Sequence, residues 1–185
     1  IADGHHRYAA YLAMQNKHPG TDWDFGLAML VDQSDTPLHL GPIHRCLNNV
    51  TMTELIAAAP TLGATITRHA RSEALNALSS QTLIAADADS WFSLTRPPTP
   101  PNHAIVEWLH TTLLPQLNAA TEISYHHDVH DTLARTGSDR TGLLLPSLTF
   151  AQVRSIVASG RLLPEKATSF QPKPSLGAIM RPIDH

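Results

Sequence analysis

Apolar positions along the chain follow two periods, one helical and one of strand type, and they alternate through most of its length. From His6 to about Asn16, Tyr8, Tyr11, Leu12 and Gln15 recur at helical spacing among alanines, and Lys17-His18-Pro19-Gly20 supplies a basic end followed by a breaker. A helix of about three turns is expected there. Phe25 to Val31 is a nearly continuous apolar run closed by Asp32-Gln33-Ser34-Asp35, the pattern of a short buried strand. Thr36-Pro37 then turns the chain towards Leu38 to Leu40 and Ile43 to Leu47. Thr51 to Ala59 reads as a helix in which Thr51 is the N-cap and Glu54, three residues on, completes a capping box. Ser72 to Leu78 repeats the Ser-then-Glu start and predicts a short helix, whereas Leu83 to Ala86 and Trp91 to Leu94 predict strands.

Arg96-Pro97-Pro98-Thr99-Pro100-Pro101 interrupts the pattern, because its prolines remove backbone donors and fix φ. A linker or long surface loop over residues 96–103 is expected, with an α/β region over 1–95 before it and a second over 104–185 after it. Beyond the prolines, Ala104 to Leu117 carries Ile105, Trp108, Leu109, Thr112 and Leu113 on one face of an amphipathic helix. Ile123 to Tyr125 predicts a short strand, Asp128 to Ala134 a short helix and Gly142 to Leu145 a strand. Thr149 caps a helix running to about Ser159 that Gly160 ends, and Ala178 to Ile183 predicts a last strand. Strands alternating with helices point to an α/β fold, with α+β as the other option, built on a mixed sheet with flanking helices.

Composition narrows the possible partners. The 185 residues are 42% hydrophobic, enough for a real core, and 13 basic residues face 16 acidic ones for a net charge of -3. Without a broad positive field, nucleic acid is disfavoured as a partner, and any phosphate must be held by a local site. No apolar stretch approaches the roughly 20 residues that cross a bilayer, and no signal-like region opens the chain, so a cytoplasmic protein with no membrane partner is expected. A single cysteine rules out an internal disulfide and a cysteine-based zinc knuckle. The chain opens without Met, and Ile1-Ala2 read as the end of a buried strand whose sheet partners, and part of any catalytic site, lie upstream.

Chemistry concentrates at Asp3-Gly4-His5-His6-Arg7. A strand end passing through Asp-Gly into a helix gathers free backbone N–H groups and the positive end of the helix dipole at one point, and an anion is expected there. Gly4 lets backbone approach a phosphate, Arg7 adds a bidentate charged contact, and His5 or His6 adds a hydrogen bond. Asp3 can cap the helix, orient a histidine or help to hold a metal that accompanies the phosphate. Asp3, His5 and His6 are therefore the catalytic candidates. From spacing alone, a tight turn flanked by surface histidines explains the segment equally well.

The octapeptide Ile1-Ala2-Asp3-Gly4-His5-His6-Arg7-Tyr8 resembles the phosphate-binding box of the superfamily that joins ParB-type partition proteins, sulfiredoxin and an archaeal ADP-dependent free serine kinase. More closely, the chain is similar to the C-terminal portion of the bacterial and archaeal family called domain of unknown function 1015. Three separated places carry that likeness: the opening box, Gly41-Pro42-Ile43-His44-Arg45, and Leu163-Pro164-Glu165-Lys166-Ala167-Thr168-Ser169-Phe170-Gln171-Pro172-Lys173 with Gly177 beyond. Ala167 and Gln171 depart from the serine and the aromatic residue expected at those positions. The resemblance implies a further N-terminal half of comparable size and supplies no established reaction.

The other two places also have a physical reading. His44 and Arg45 follow a strand and a Gly-Pro turn, which suits a second phosphate or carboxylate contact, and a surface arginine beside a hydrogen-bonded histidine suits it as well. Lys166 and Lys173 flank Phe170 in a stretch that Pro164, Pro172 and Pro174 keep from being helical, the make-up of a lid over an anion. Exposed lysines are more commonly plain solvated surface. His126-His127-Asp128-Val129-His130 brings at most two ligands together on a helix, too few for zinc, so no metal ligands are assigned. Cys46 reads as a small buried hydrophobe, and Trp23, Trp91 and Trp108 as core.

Two functions from different classes fit these features. The first is a nucleotide-dependent enzyme, a small-molecule kinase or a nucleotide hydrolase, that binds a nucleotide or phosphorylated small molecule with Mg2+ accompanying it. The second is a nucleotide-sensing module of the partition-protein kind that binds without turnover.

Overall fold

The computed structural model describes residues 1–98, 103–175, 177 and 179–182. In chain order its main elements are α1 (His5–Lys17), β1 (His39–Gly41), β2 (His44–Asn48), α2 (Met52–Thr61), β3 (Thr65–Arg68), α3 (Arg71–Ala74), β4 (Thr82–Ala86), β5 (Trp91–Thr95), α4 (Ile105–Trp108), β6 (Glu122–His126), α5 (Val129–Leu133), β7 (Arg140–Leu144), α6 (Phe150–Ala158) and β8 (Ser169–Gln171). Six strands form one sheet in the order β3-β5-β4-β7-β2-β6, and β1 pairs with β8 in a second. The class read from the sequence holds. The pairings within the large sheet are all antiparallel, however, where a mixed sheet is expected from alternation. Alternation of helices and strands does not itself fix strand direction. Here β4 and β5 are joined by a tight turn, in which the Asp87 carboxylate accepts from the N–H groups of Asp89 and Ser90, and such a hairpin is antiparallel by construction.

Two compact units divide the chain, Leu40–Ser169 and Ile1–His39 with Phe170–His185. The Leu40–Ser169 unit holds the large sheet. Strand alternation gives each of its faces a core. Leu83, Ala85, Leu94 and Leu143 belong to the larger cluster together with Leu47, Leu55 of α2, Leu109, Leu113 and Ile156 of α6. Ile84, Ala86, Trp91 and Leu144 belong to a smaller one with Ala74. Fully burying a leucine or isoleucine contributes about 1.5–3 kcal/mol, so the larger face dominates the stability of this unit.

Local signals place the helices. Thr51 accepts from the Glu54 N–H at 3.2 Å, and the Glu54 carboxylate accepts from the Thr51 N–H at 2.7 Å, the expected capping box. Thr149 and Gln152 make the same exchange at the start of α6, and Gly160 at φ +75 follows its end. The helix expected from Ala104 to Leu117 is helical throughout 105–116, but only α4 has ordinary spacing; Leu109–Leu113 is wound more loosely and Leu114–Gln116 more tightly. The Ser72 start is corrected: α3 begins after Ala70, with no side-chain cap.

The other unit is far less covered. The helix expected near His6 is present as α1, yet none of its residues is buried. Phe25 to Val31 forms no strand, contrary to its pattern, and Phe25, Leu27, Met29 and Leu30 are exposed, Leu30 to 94%. An apolar run becomes a strand only where a neighbour completes its hydrogen-bond ladder, and none of the described residues does so here. Ile1 and Ala2 are likewise exposed and outside any strand. Arg181 holds the start of the run, donating to the Phe25 carbonyl at 2.9 Å and the Asp22 carbonyl at 2.7 Å. The strand expected over Ala178 to Ile183 begins and ends outside the described residues, and residues 179–182 carry no strand. Residues 99–102 of the expected proline loop also lie outside them.

Thr51→Ala is expected to lower stability by about 1 kcal/mol, the usual worth of an N-cap, as read from urea unfolding. The chain is also expected to bind a hydrophobic dye in its native state, and Leu30→Lys to reduce that fluorescence.

Candidate functional site

Gly4 sets the geometry of the box. It precedes α1 in the left-handed region, φ 86 and ψ 21, which only glycine adopts without strain. The first helical bond runs from the Tyr8 N–H to the Gly4 carbonyl at 2.8 Å. The N–H groups of His5, His6 and Arg7 lie ahead of it, and no side chain caps them. No acidic residue occupies the first turn. A Cβ at position 4 would lie 3.0 Å from Nη2 of Arg7, so glycine also lets the Arg7 side chain fold back over the turn. Arg7 approaches Asp3 Oδ2 at 3.4 Å, and Lys173 approaches Asp3 Oδ1 at 3.6 Å. Two cations thus meet at one exposed carboxylate, and the uncapped first turn follows it in the chain. The imidazoles of His5 and His6, 4.2 Å apart between ring centres, are exposed beside it.

His44 and Arg45 lie in the Leu40–Ser169 unit, in β2, and both are buried. The surface arginine envisaged as one alternative is therefore excluded. Alternation sends them to opposite faces of the sheet. His44 accepts at Nδ1 from the Leu145 N–H at 3.1 Å, which places its own proton on Nε2 in the neutral ring. Burial, followed by the nearby Arg45 charge, pushes its pKa down to about 4. His44 is a neutral backbone acceptor in this structure.

Arg45 lies across from Leu143 on one side and Tyr125 on the other, so this charged residue occupies a row of the larger core. Its guanidinium donates to the Ile43 carbonyl and, at 3.0 Å, to the Lys166 carbonyl, and stands 5.4 Å from the centre of the Tyr125 ring. Nε has no partner. Among the described residues no carboxylate forms an ion pair with it. Burial lowers its pKa to about 10, with Tyr125 opposing the shift. His110, in the looser turn beyond α4, has a buried and unpartnered Nε2, and burial followed by the Arg45 charge brings its pKa down to about 4. Lys166 enters through its carbonyl, while its side chain is exposed.

The structure therefore groups the sequence-derived candidates as Asp3, Arg7 and Lys173 around Gly4 with His5 and His6 adjacent, and as Arg45 with the Lys166 backbone. Tyr125 and His110 escaped the sequence reading. Tyr125 belongs to a short strand that nothing marks as the neighbour of β2, and His110 is one of 12 histidines. Cys46 is fully buried, and burial raises its thiol pKa, as suits a small core residue. Trp91 and Trp108 are core, and Trp23 is only half-buried. His126 ends β6 while His130 lies in α5 beyond the Asp128 cap, so the two do not share a helix face.

Residues 1–120 match the family described as protein of unknown function (DUF1015). The chain belongs to this family. Solved structures with a similar fold include a free serine kinase mutant in complex with AMP, 14% identical with a TM-score of 0.61, of which the chain covers 66% while 92% of the chain is matched. A conserved hypothetical protein from Pyrococcus furiosus, 15% identical with a TM-score of 0.57, is matched over 68% of its length and 92% of this chain. SbnI with a C-terminal truncation, from Staphylococcus aureus, is 11% identical with a TM-score of 0.58 over 62% of its length and 92% of this chain. The chain spans about two thirds of the length of these proteins. The chain shares their fold. No curated protein matches the DUF1015 chain in sequence. None of its helices among the described residues is long and apolar enough to cross a membrane.

The histidine shifts carry a sign. His44 and His110 hold fewer protons in the folded state than in the unfolded one between about pH 4 and their ordinary value of 6.5. Stability is therefore fully present above about pH 6.5 and is lost as pH falls through that window. The melting temperature is expected to drop steadily from pH 7 to pH 4.5, and His44→Gln is expected to flatten part of that slope.

Proposed function

We propose that this DUF1015 chain binds the phosphate groups of a nucleotide at the turn from Asp3 to Arg7, as part of a nucleotide-dependent enzyme, either a small-molecule kinase or a nucleotide hydrolase. The observation that carries this reading is the convergence of Arg7 and Lys173 on Asp3, beside the uncapped first turn that Gly4 opens. The Asp3 carboxylate occupies the place a ligand oxyanion would take. A phosphate offers more negative charge than one carboxylate and can accept from the backbone amides as well, so it would draw both cations off Asp3. The free serine kinase of similar fold, in its complexes with AMP and ADP, supports a nucleotide as the source of that phosphate.

Mg2+ fits the same arrangement. It binds through one or two carboxylates together with substrate phosphates, and Asp3, freed of Arg7 and Lys173, is the carboxylate available. When bound, the ion neutralises charge that develops on the transferred group. In this scheme Gly4 and the amides of His5 and His6 position the phosphates, Arg7 and Lys173 balance them, and the exposed imidazoles of His5 and His6 exchange protons with the reacting oxygens. The second reading is a sensing module that binds without turnover. The exposure of Asp3, His5 and His6 favours it, since none of the three sits in a water-excluded place.

Arg7→Ala is expected to weaken ADP or ATP binding by roughly ten- to a hundredfold, the loss of a charge-assisted contact. Lys173→Met should weaken it less and leave the melting temperature nearly unchanged, because the Lys173–Asp3 pair is exposed. Calorimetry with both variants tests the site. Equal affinity in Arg7→Ala and wild type would remove it. Phosphate release or transfer from ATP, ADP, CTP or GTP in a pool of small metabolites separates an enzyme from a sensor.

A further inference from the structure

We propose that Arg45, Tyr125 and His110 form a second oxyanion site in the Leu40–Ser169 unit, one that takes the carboxylate or phosphate group of a small molecule and shares no residue with the Asp3-to-Arg7 turn. Arg45 is completely buried, on the face of the sheet where Leu47 and Leu143 are core. A guanidinium so placed ordinarily has a carboxylate beside it, and no described carboxylate pairs with this one. Its contacts are two backbone carbonyls and an aromatic ring. These satisfy donors without cancelling the charge.

The unmet part of the group has a shape. Nε and Nη2 form the side-on edge of a guanidinium, whose parallel N–H bonds match the two oxygens of a carboxylate or phosphate. Nε is unpartnered, and Nη2 donates only to the Lys166 carbonyl. Close by, the buried Nε2 of His110 also lacks a partner, and both Tyr125 and His110 lie within the field of Arg45. Two groups with unused or adjustable hydrogen-bonding capacity, His110 Nε2 and the Tyr125 hydroxyl, therefore accompany the uncancelled charge of Arg45. As the neutral tautomer with hydrogen on Nε2, His110 donates; the Tyr125 hydroxyl donates as well. An oxyanion taking the side-on edge would displace the Lys166 carbonyl, which reaches Arg45 from the exposed Glu165-Lys166 turn. Tyr125 lies in the edge strand β6 and is only half-buried.

Glu165 is the competing group. Its charge acts on both His110 and Tyr125, although it makes no ion pair with Arg45. It repels an arriving anion unless it swings out, so Glu165→Gln should tighten binding.

The test uses the full chain carrying Arg7→Ala, so that the Asp3-to-Arg7 turn is disabled. Sodium acetate and inorganic phosphate are titrated separately against sodium chloride at constant ionic strength, with the His110 ring signals followed by NMR and the melting temperature recorded. Saturable movement of the His110 signals by acetate or phosphate, beyond that in chloride, is expected, and whichever anion binds tighter names the group. Arg45→Met in the same background should lose at least about tenfold in affinity while melting at the same or a higher temperature, because an apolar side chain replaces an uncancelled charge. Tyr125→Phe should lose about two- to fivefold. Unmoved His110 signals in both salts would overturn the proposal whether or not Arg45→Met folds. So would a folded Arg45→Met that binds within twofold of its parent. Neither result bears on the nucleotide reading, which stands or falls on Arg7→Ala alone.

Discussion

Alternation of side chains along β2 constrains more of the Leu40–Ser169 unit than any other single feature. This strand lies between β6 and β7 near one end of the sheet. Leu47 and Arg45 point to the face that carries the larger core, and His44 and Cys46 to the other. A slip of one residue would exchange the two sets, and the register is held against it from both sides: Arg45 is opposite both Tyr125 and Leu143, and the Leu145 amide is bonded to His44. The apolar row that secures the fold is therefore also what brings a charged guanidinium under the helical stretch bearing His110. Stability and chemistry are not separable along this strand.

The Asp3-to-Arg7 turn is organised on a different principle. Its geometry comes from one backbone conformation at Gly4 and from charge, not from packing, and none of its residues is buried. Its Asp3 contacts are exposed ion pairs of 3.4 and 3.6 Å, which contribute little to stability. The Arg45 cluster is the opposite case, enclosed and costly to leave unbalanced.

Much of this was legible in the sequence where the physics is local. The Thr51–Glu54 box, the Thr149 cap, the Gly160 stop and the Asp3-Gly4 turn each rest on residues within four positions of one another, and each is present. Of the two lysines read as a lid, Lys173 pairs with Asp3, whereas Lys166 is engaged through its carbonyl. What depended on distant partners was less readable. Phe25 to Val31 has the composition of a buried strand and lies exposed, because composition does not supply the ladder that makes a strand. The burial of Arg45 was equally hidden: a Gly-Pro-Ile-His-Arg string looks like a surface loop until Tyr125 and Leu143 are known to flank it. Strand direction escaped for the same reason, being set by which elements become neighbours and not by any one of them.

The division of the chain has a bearing on how it is made. One compact unit is assembled from Ile1–His39 and Phe170–His185, with Arg181 bonded to carbonyls at positions 22 and 25. Within this span, residues 1–39 are made before Leu40–Ser169, and Phe170–His185 only after it. The Leu40–Ser169 unit, continuous in sequence, can fold as it emerges. The carbonyls of Asp22 and Phe25 therefore gain their Arg181 contacts only when the last segment has been made, so the discontinuous unit closes after the continuous one.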